Sequence, residues 1–450
     1  MRRLSLLTAL FACLFLPASA PAATTVVAKG RGFGHGIGMS QYGAQGFAQH
    51  GWDYRRILAR YYRGTTVGTA ATRTIRVLLR SGGGPVGVSH VSRAGAKRLD
   101  PSRTYIARVR GSGIELRGPG GRRVARSSGP LRLTGPYGYT RLGRDYRGAM
   151  ELRPNGIGVM AINVVPLDAY VQGVIPGEMP SNWMPEALKV QAVAARSYAL
   201  ATGAGGSLFD HYADTRSQMY GGMAYERPST NAAARATARQ VVLYRGAVAT
   251  TYYFSTSGGH TENVENVWSG AQPVPYLKGV SDPYDTASPR HRWQLRFSRA
   301  RLEGRLGRLC SGSFRAIKVV DRGVSPRVMR ADVVCSGSRV RTTGAVLRSA
   351  LGLYDTWFTV TRVTSTAAKR SSDLNVPIVS SFVSPRRITG SFSPVPAGGY
   401  VNVERLEGAQ WRLVARGLTN RLGAYDVPVY AAGTYRVSAG DVSADPIDLR

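Results

Sequence analysis

The sequence predicts an α+β protein: a β-rich, multi-lobed core with a few helices, followed by a small all-β, sandwich-like domain. Three observations predict it. Residues 72–165 alternate apolar and polar side chains in short runs broken by Gly and Pro clusters, the mark of successive strands. Residues 185–202 carry Leu188, Ala192, Ala195 and Ala199 at helical spacing. After a stretch rich in Ser, Thr and Ala, the alternating pattern returns from residue 377 onward. At 450 residues, one hydrophobic core is too few, and length alone points to two or three domains.

The chain opens with Arg2 and Arg3, an apolar run over 4–16, and Ala18-Ser19-Ala20. These are the charged, apolar and small-residue parts of a secretory signal, placed at 1–23, so export is expected. The run falls short of the roughly 18 apolar residues that a membrane span needs. The core is assigned to 24–363, with 72–165 as its β-rich subdomain, exemplified by Thr74-Ile75-Arg76-Val77-Leu78-Leu79 and Thr104-Tyr105-Ile106-Ala107-Arg108-Val109. The helix predicted at 185–202 begins on Pro185, suited to a first turn, and stops before Gly203. A second helix is predicted at 229–238, then strands at 240–244 and 247–254. Residues 364–376 read as a linker. Residues 377–450 form the accessory domain, with Tyr400-Val401-Asn402-Val403, Trp411-Arg412-Leu413-Val414 and Tyr435-Arg436-Val437 as strands and neither His nor Cys among them.

The chain holds 60 Lys and Arg against 26 Asp and Glu, a net charge of +34. Such an excess attracts polyanions. For an exported protein the expected counter-surface is an anionic wall polymer or a membrane surface, not nucleic acid; because the basic residues are spread along the chain, an evenly charged soluble surface is the alternative. Removal of the signal takes Cys13 with it and leaves Cys310 and Cys335, which either pair as one disulfide or stay as two thiols.

Three segments carry residues suited to chemistry. The first, Gly30-Arg31-Gly32-Phe33-Gly34-His35-Gly36-Ile37-Gly38-Met39-Ser40-Gln41-Tyr42, is glycine-dense enough for close backbone approach to a ligand. His35, Gln41 and Tyr42 supply its polar contacts; the bland alternative is a tight packed turn in which His35 hydrogen-bonds internally. Its spacing matches neither the dinucleotide fingerprint nor a P-loop. The second is Val174-Ile175-Pro176-Gly177-Glu178-Met179-Pro180, whose prolines restrain the backbone on both sides of Glu178. Apolar neighbours would raise that carboxyl toward the range of a general acid; the bland alternative is a loop Glu favouring the next helix N-terminus. On the following helix Lys189 and Arg196 share a side, as ligands for sugar groups or as a solvated basic face. The third is Tyr252-Tyr253-Phe254-Ser255-Thr256-Ser257-Gly258-Gly259-His260-Thr261-Glu262-Asn263, where Tyr253 offers a sugar-stacking ring and Ser257, His260 and Glu262 offer hydrogen bonds. Ser257 lacks the elbow of a hydrolase nucleophile. Asp210, His211 and Asp214 lack a second His or Cys at ligand spacing, so no metal site and no cofactor is expected.

Together these segments resemble the family of stage II sporulation protein D, which includes amidase-enhancer proteins. The resemblance rests on the run 34–44, on Gly177-Glu178-Met179-Pro180 with Ala187-Leu188-Lys189-Val190-Gln191-Ala192-Val193-Ala194-Ala195-Arg196, on 255–263, and on Leu347-Arg348-Ser349-Ala350-Leu351-Gly352-Leu353. It covers roughly residues 25–362. It implies a wall protein whose catalytic core is a lytic transglycosylase acting on peptidoglycan strands stripped of stem peptides, with Glu178 as catalytic acid and Lys189 and Arg196 at the substrate site. It equally implies the alternative, a non-catalytic enhancer that grips glycan and stimulates a partner cell-wall amidase. Two departures stand out. The Gly-His-Gly segment precedes the Glu motif here, whereas it follows the core in many sporulation members. The stretch 210–220 lacks the Cys with which some members bind zinc.

Overall fold

The computed structural model describes residues 24–364, 386–391, 400–419, 424–429, 431–439, 442–444 and 446–449. The signal predicted at 1–23 lies outside the described residues, as does the linker at 364–376 except for its first residue. The chain divides into two compact units, 1–367 and 368–450.

The larger unit is built on a seven-stranded sheet in the order His211–Tyr212, Thr74–Arg80, Gly158–Pro166, Arg144–Asn155, Leu131–Leu142, Arg93–Ala94 and Lys97–Arg98. Its ladders are antiparallel except the first pair. Gly158–Pro166 is buried along nearly its whole length, which explains its unbroken apolar run. Val159, Ala161 and Val165 join the main core, while Met160, Ile162 and Val164 face a smaller cluster with Phe209 on the other side.

This strand runs straight into the helix Leu167–Glu178, which has Asp168 in its first turn and Pro176 inside its last. The helix Pro185–Ala201 follows, with Pro at its start and Glu186 in the first turn. It is almost wholly buried. Its Ala-rich faces let the Pro228–Ala236 helix and the Gln240–Tyr244 strand close over it, and Ser197 Oγ accepts the Val242 N–H at 2.8 Å.

The expected strand over 247–254 is broken, surviving only as Ala247–Val248 and Tyr253–Phe254. Between them the chain finds other partners: Thr251 Oγ1 donates to Ala194 O at 2.7 Å, and Tyr252 O accepts from Met39 N at 3.0 Å and from the Tyr62 hydroxyl at 2.8 Å. These bonds replace a ladder.

The Thr24–Gly30 strand pairs with Trp293–Ser298 on one side and Phe358–Thr364 on the other, tying the start of the unit to its end. Beside it lie the meander Phe314–Arg322, Val328–Cys335, Arg339–Thr343 and the helices Arg299–Leu306 and Gly344–Leu351. They share a separate core that includes Phe297, Leu302, Phe314 and Leu347. Cys310 and Cys335 are joined as a disulfide, with Cα atoms 5.5 Å apart.

In the smaller unit, Tyr400–Glu407 pairs with Gln410–Leu418 and Gly433–Ala439. A second pair, Arg386–Ser391 with Ala424–Val429, packs on the same core of Ile388, Val401, Val427 and Tyr435. No helix among the described residues is long and apolar enough to cross a membrane.

Candidate active site

The glycine-dense loop is held against the Tyr252–Phe254 segment. At Gly38, with φ +72°, an added Cβ would sit 2.2 Å from Tyr252 O, so only glycine permits this approach. Met39 and Ser40 then pair in parallel with Tyr253 and Phe254. The result is a cleft of 490 Å³ that brings together His35, Gln41, Glu178 and Tyr253 from three distant stretches of chain.

Glu178 is the last residue of the Leu167–Glu178 helix, not a loop residue ahead of the next helix as the flanking prolines suggested. Pro176 is accommodated inside the final turn. At Gly177 a Cβ would lie 2.9 Å from Met219 Cβ; glycine lets the 213–220 segment come close enough for Met219 N–H to donate to Glu178 Oε1 at 2.7 Å. Burial pushes the Glu178 carboxyl up, opposed in turn by the Met219 N–H and by hydrogen bonds from Gln41 and Tyr253. Its place at the carbonyl end of a helix also disfavours the charged form.

Tyr253 is held by a relay: its hydroxyl accepts from Gln218 Nε2 at 2.7 Å, and Gln218 Oε1 accepts from Tyr170 at 2.9 Å. His35 is neutral. Burial, with the charges of Arg327 and Arg348 behind it, lowers it to about 4 against a raising bond to Tyr253 O. Ile37 N–H donates to Nδ1 at 3.1 Å, so Nε2 carries the proton toward Tyr253 O at 3.0 Å. His35 therefore fixes the loop, and its ring packs 5.4 Å from Trp268 and 5.3 Å from Phe254.

The other proposed ligands lie elsewhere. Arg196 has no exposed side-chain surface; it pairs with Asp168 at 2.7 Å and donates to Gln240 O at 2.9 Å. Lys189 pairs with Glu186 at 2.6 Å. Tyr42 packs edge-on against Trp183, centroids 4.8 Å apart, and is not among the residues lining the cleft. Ser257 is buried and donates to Asp285 Oδ2 at 3.0 Å, and His260 Nδ1 faces Thr261 O at 2.6 Å. Glu262 is fully buried, accepting from the N–H groups of Val324 and Ser325, each at 3.1 Å. Arg327, itself buried against Asp355, donates to His260 O at 2.8 Å. The segment 255–263 is thus a clamp between lobes, and Ser257, His260, Glu262, Lys189, Arg196 and Tyr42, expected as sugar contacts, are engaged in these internal pairings.

Sequence reasoning passed over Arg348, Arg216, Tyr198 and Trp268, which line the same cleft. Arg348 stood in a matched motif but was given no role. Its guanidinium makes no hydrogen bond or ion pair with any described residue, and burial lowers its pKa despite the charge of Asp355. Arg216 is engaged by Asp214 at 2.7 Å. Trp268 packs 4.6 Å from Tyr252; no local signal distinguishes it. His211 and Asp210 are committed to Ala199 O at 2.9 Å and to Arg76 at 2.8 Å.

Glu178 and Met219 sit inside the region matched by the SpoIID family model, described as Stage II sporulation protein, over residues 155–244, while Gln41 and Tyr253 lie outside it. Stage II sporulation protein D of Bacillus subtilis is 32% identical over 235 residues, 46% of this chain and 66% of that protein. The chain belongs to the SpoIID family. The amidase enhancer of Bacillus subtilis is 41% identical over 133 residues, 30% of this chain and 17% of its own length. An uncharacterized protein of Brachyspira hyodysenteriae is 39% identical over 146 residues, 32% of this chain and 39% of its own. The chain thus spans two thirds or less of these SpoIID-family relatives.

Proposed function

We propose that the chain is a cell-wall protein that binds peptidoglycan glycan strands and cleaves them as a lytic transglycosylase. The observation that carries this reading is that Glu178 is the one carboxylate among the described residues lining the cleft. A conventional glycosidase needs two, one as acid and one as nucleophile or base. A lytic transglycosylase needs one. Glu178, whose carboxyl burial pushes up, gives its proton to the glycosidic oxygen as the C1–O bond breaks. The 6-hydroxyl of the same muramic acid then attacks C1 and returns its proton to the carboxylate, leaving a 1,6-anhydro end. Tyr253 and Gln41 orient the carboxyl, while Tyr252 and Trp268 offer ring faces to sugars. Arg348 offers an unpaired cation to an acidic sugar substituent.

The disulfide suits an oxidising compartment, in keeping with action at the wall. The second reading, a glycan-binding enhancer of a partner amidase, is favoured by the likeness to the amidase enhancer.

Digestion of purified sacculi, with and without prior amidase stripping, tests the choice. Anhydro-muramyl products from the wild type that vanish in Glu178→Gln establish cleavage. Strand binding without products from either protein establishes the enhancer, and water-derived reducing ends would overturn the single-carboxylate mechanism.

A further inference from the structure

A second concavity, of 640 Å³, opens where the Thr24–Gly30 strand ends, between residues 292–294 and 357–359. Three cations face it, Lys29, Arg31 and Arg292, and no carboxylate lines it. Arg292 donates only to backbone oxygens, Gly258 O at 3.2 Å and His291 O at 2.9 Å. Arg31 lies 5.1 Å over the Trp357 ring, and neither it nor Lys29 has an ion-pair partner among the described residues. Some arginines elsewhere are met by carboxylates, as in Arg147–Glu226 at 2.6 Å and Arg141–Asp145 at 2.6 Å. Burial, and after it the charge of Arg31, lowers the Arg292 pKa. The charge of Asp285 opposes that in part, and like charges crowded in a groove that no carboxylate lines are relieved by an anion.

The groove also has a carbohydrate-like lining. A Cβ at Gly30 would sit 2.1 Å from the Trp293 ring, so glycine lets that indole lie flat on the strand, with its Nε1 donating to Gly32 O at 2.9 Å. Trp357, half-buried, forms a wall. Trp293 is a buried core residue, so Trp357 is the ring that, beside the guanidinium forks, suits an acidic sugar. The groove is close to the cleft. Arg31 lines the one and Phe33 the other, and two residues of chain separate their Cα atoms by at most about 7 Å.

We propose that this groove is a second binding site for the glycan strand occupying the cleft, gripping the lactyl carboxylates that muramic acid exposes when no stem peptide is attached. The inference rests on the reading of the cleft as a glycan site and adds a basis for choosing peptide-free strands.

Binding is measured with the full chain carrying Glu178→Gln and Arg348→Gln, so that neither cleavage nor the cation of the cleft enters. The probes are peptide-free glycan oligomers, the same oligomers with their lactyl carboxyls converted to methylamides, and poly(glycerol phosphate). Free-carboxylate oligomers are expected to bind about tenfold tighter than the amidated ones, as two exposed charge-assisted contacts imply. Adding Arg31→Gln with Arg292→Gln should bring that ratio close to one, and Arg31→Lys with Arg292→Lys should restore part of it, which separates charge recognition from misfolding. A ratio unchanged by the double Gln variant overturns the proposal. So does a variant that loses affinity only for poly(glycerol phosphate), which would make the groove a phosphodiester site. A carboxylate preference in a protein whose wild type releases no anhydro products would sink the transglycosylase reading and leave the groove standing.

Discussion

Glu178 Oε1 accepts the Met219 backbone N–H at 2.7 Å across 41 residues of sequence, fastening the end of one helix to an irregular segment that also walls the cleft. The carboxyl is thereby fixed in position while burial holds it toward its protonated form. The Met219 N–H that fixes the carboxyl also opposes that rise, so position and protonation are coupled.

The hydroxyl of Tyr253 favours the charged form of Glu178. In Tyr253→Phe that support is lost, the Glu178 pKa rises further, and the alkaline limb of kcat/KM, set by loss of the acid proton, should move up by as much as about one pH unit. A pH-rate profile on stripped sacculi reads this. A limb that moves down would place the titrating group elsewhere.

Arg348→Gln removes the unpaired cation of the cleft. Loss of one charge-assisted bond is expected to raise KM about tenfold on peptide-free strands, with thermal stability unchanged or improved because no internal partner is orphaned. Steady-state kinetics beside a melting curve decide it.

Asp282 is pushed up to about 7 by burial and by the neighbouring charge of Asp285. The unfolded carboxyl titrates near 4. Below that pH both states hold the proton and the group contributes nothing; between about 4 and 7 the unfolded chain releases it first, so stability falls as pH rises, by roughly 4 kcal/mol in all. Asp282→Asn should match the wild type in urea at pH 4 and exceed it at pH 8, the Tyr61 hydroxyl still finding an acceptor in place of Asp282 Oδ1, now at 2.9 Å.

Arg196→Ala leaves Asp168 without its partner and empties a fully buried position. About 3–5 kcal/mol of stability should go, with KM unchanged at temperatures where the variant stays folded. Lys189→Ala, whose pair with Glu186 is about one-third exposed, should shift stability by less than about 1 kcal/mol. A raised KM without destabilisation in either variant would return these residues to the substrate site.

The strands of 74–166, the helix at 185 and the small β unit were legible because each depends on short-range periodicity. Features confined to a few residues also marked parts of the cleft: glycine density around His35 and Gln41, and the Pro-Gly flank of Glu178. The broken strand at 249–252 was not legible, since its backbone partners come from Met39 and Tyr62.

By itself the sequence determined which segments alternate, which coil into helices, and which few residues have the chemistry to serve a site. Tertiary structure alone decided which of those residues reach the cleft. Glu262 and Arg196 have side chains as suited to sugar as Glu178, yet Glu262 meets Ser325 and Arg196 meets Asp168, and a charge desolvated against such a partner is no longer available to a ligand. Burial is a sum over neighbours distant in sequence, and no local pattern contains it.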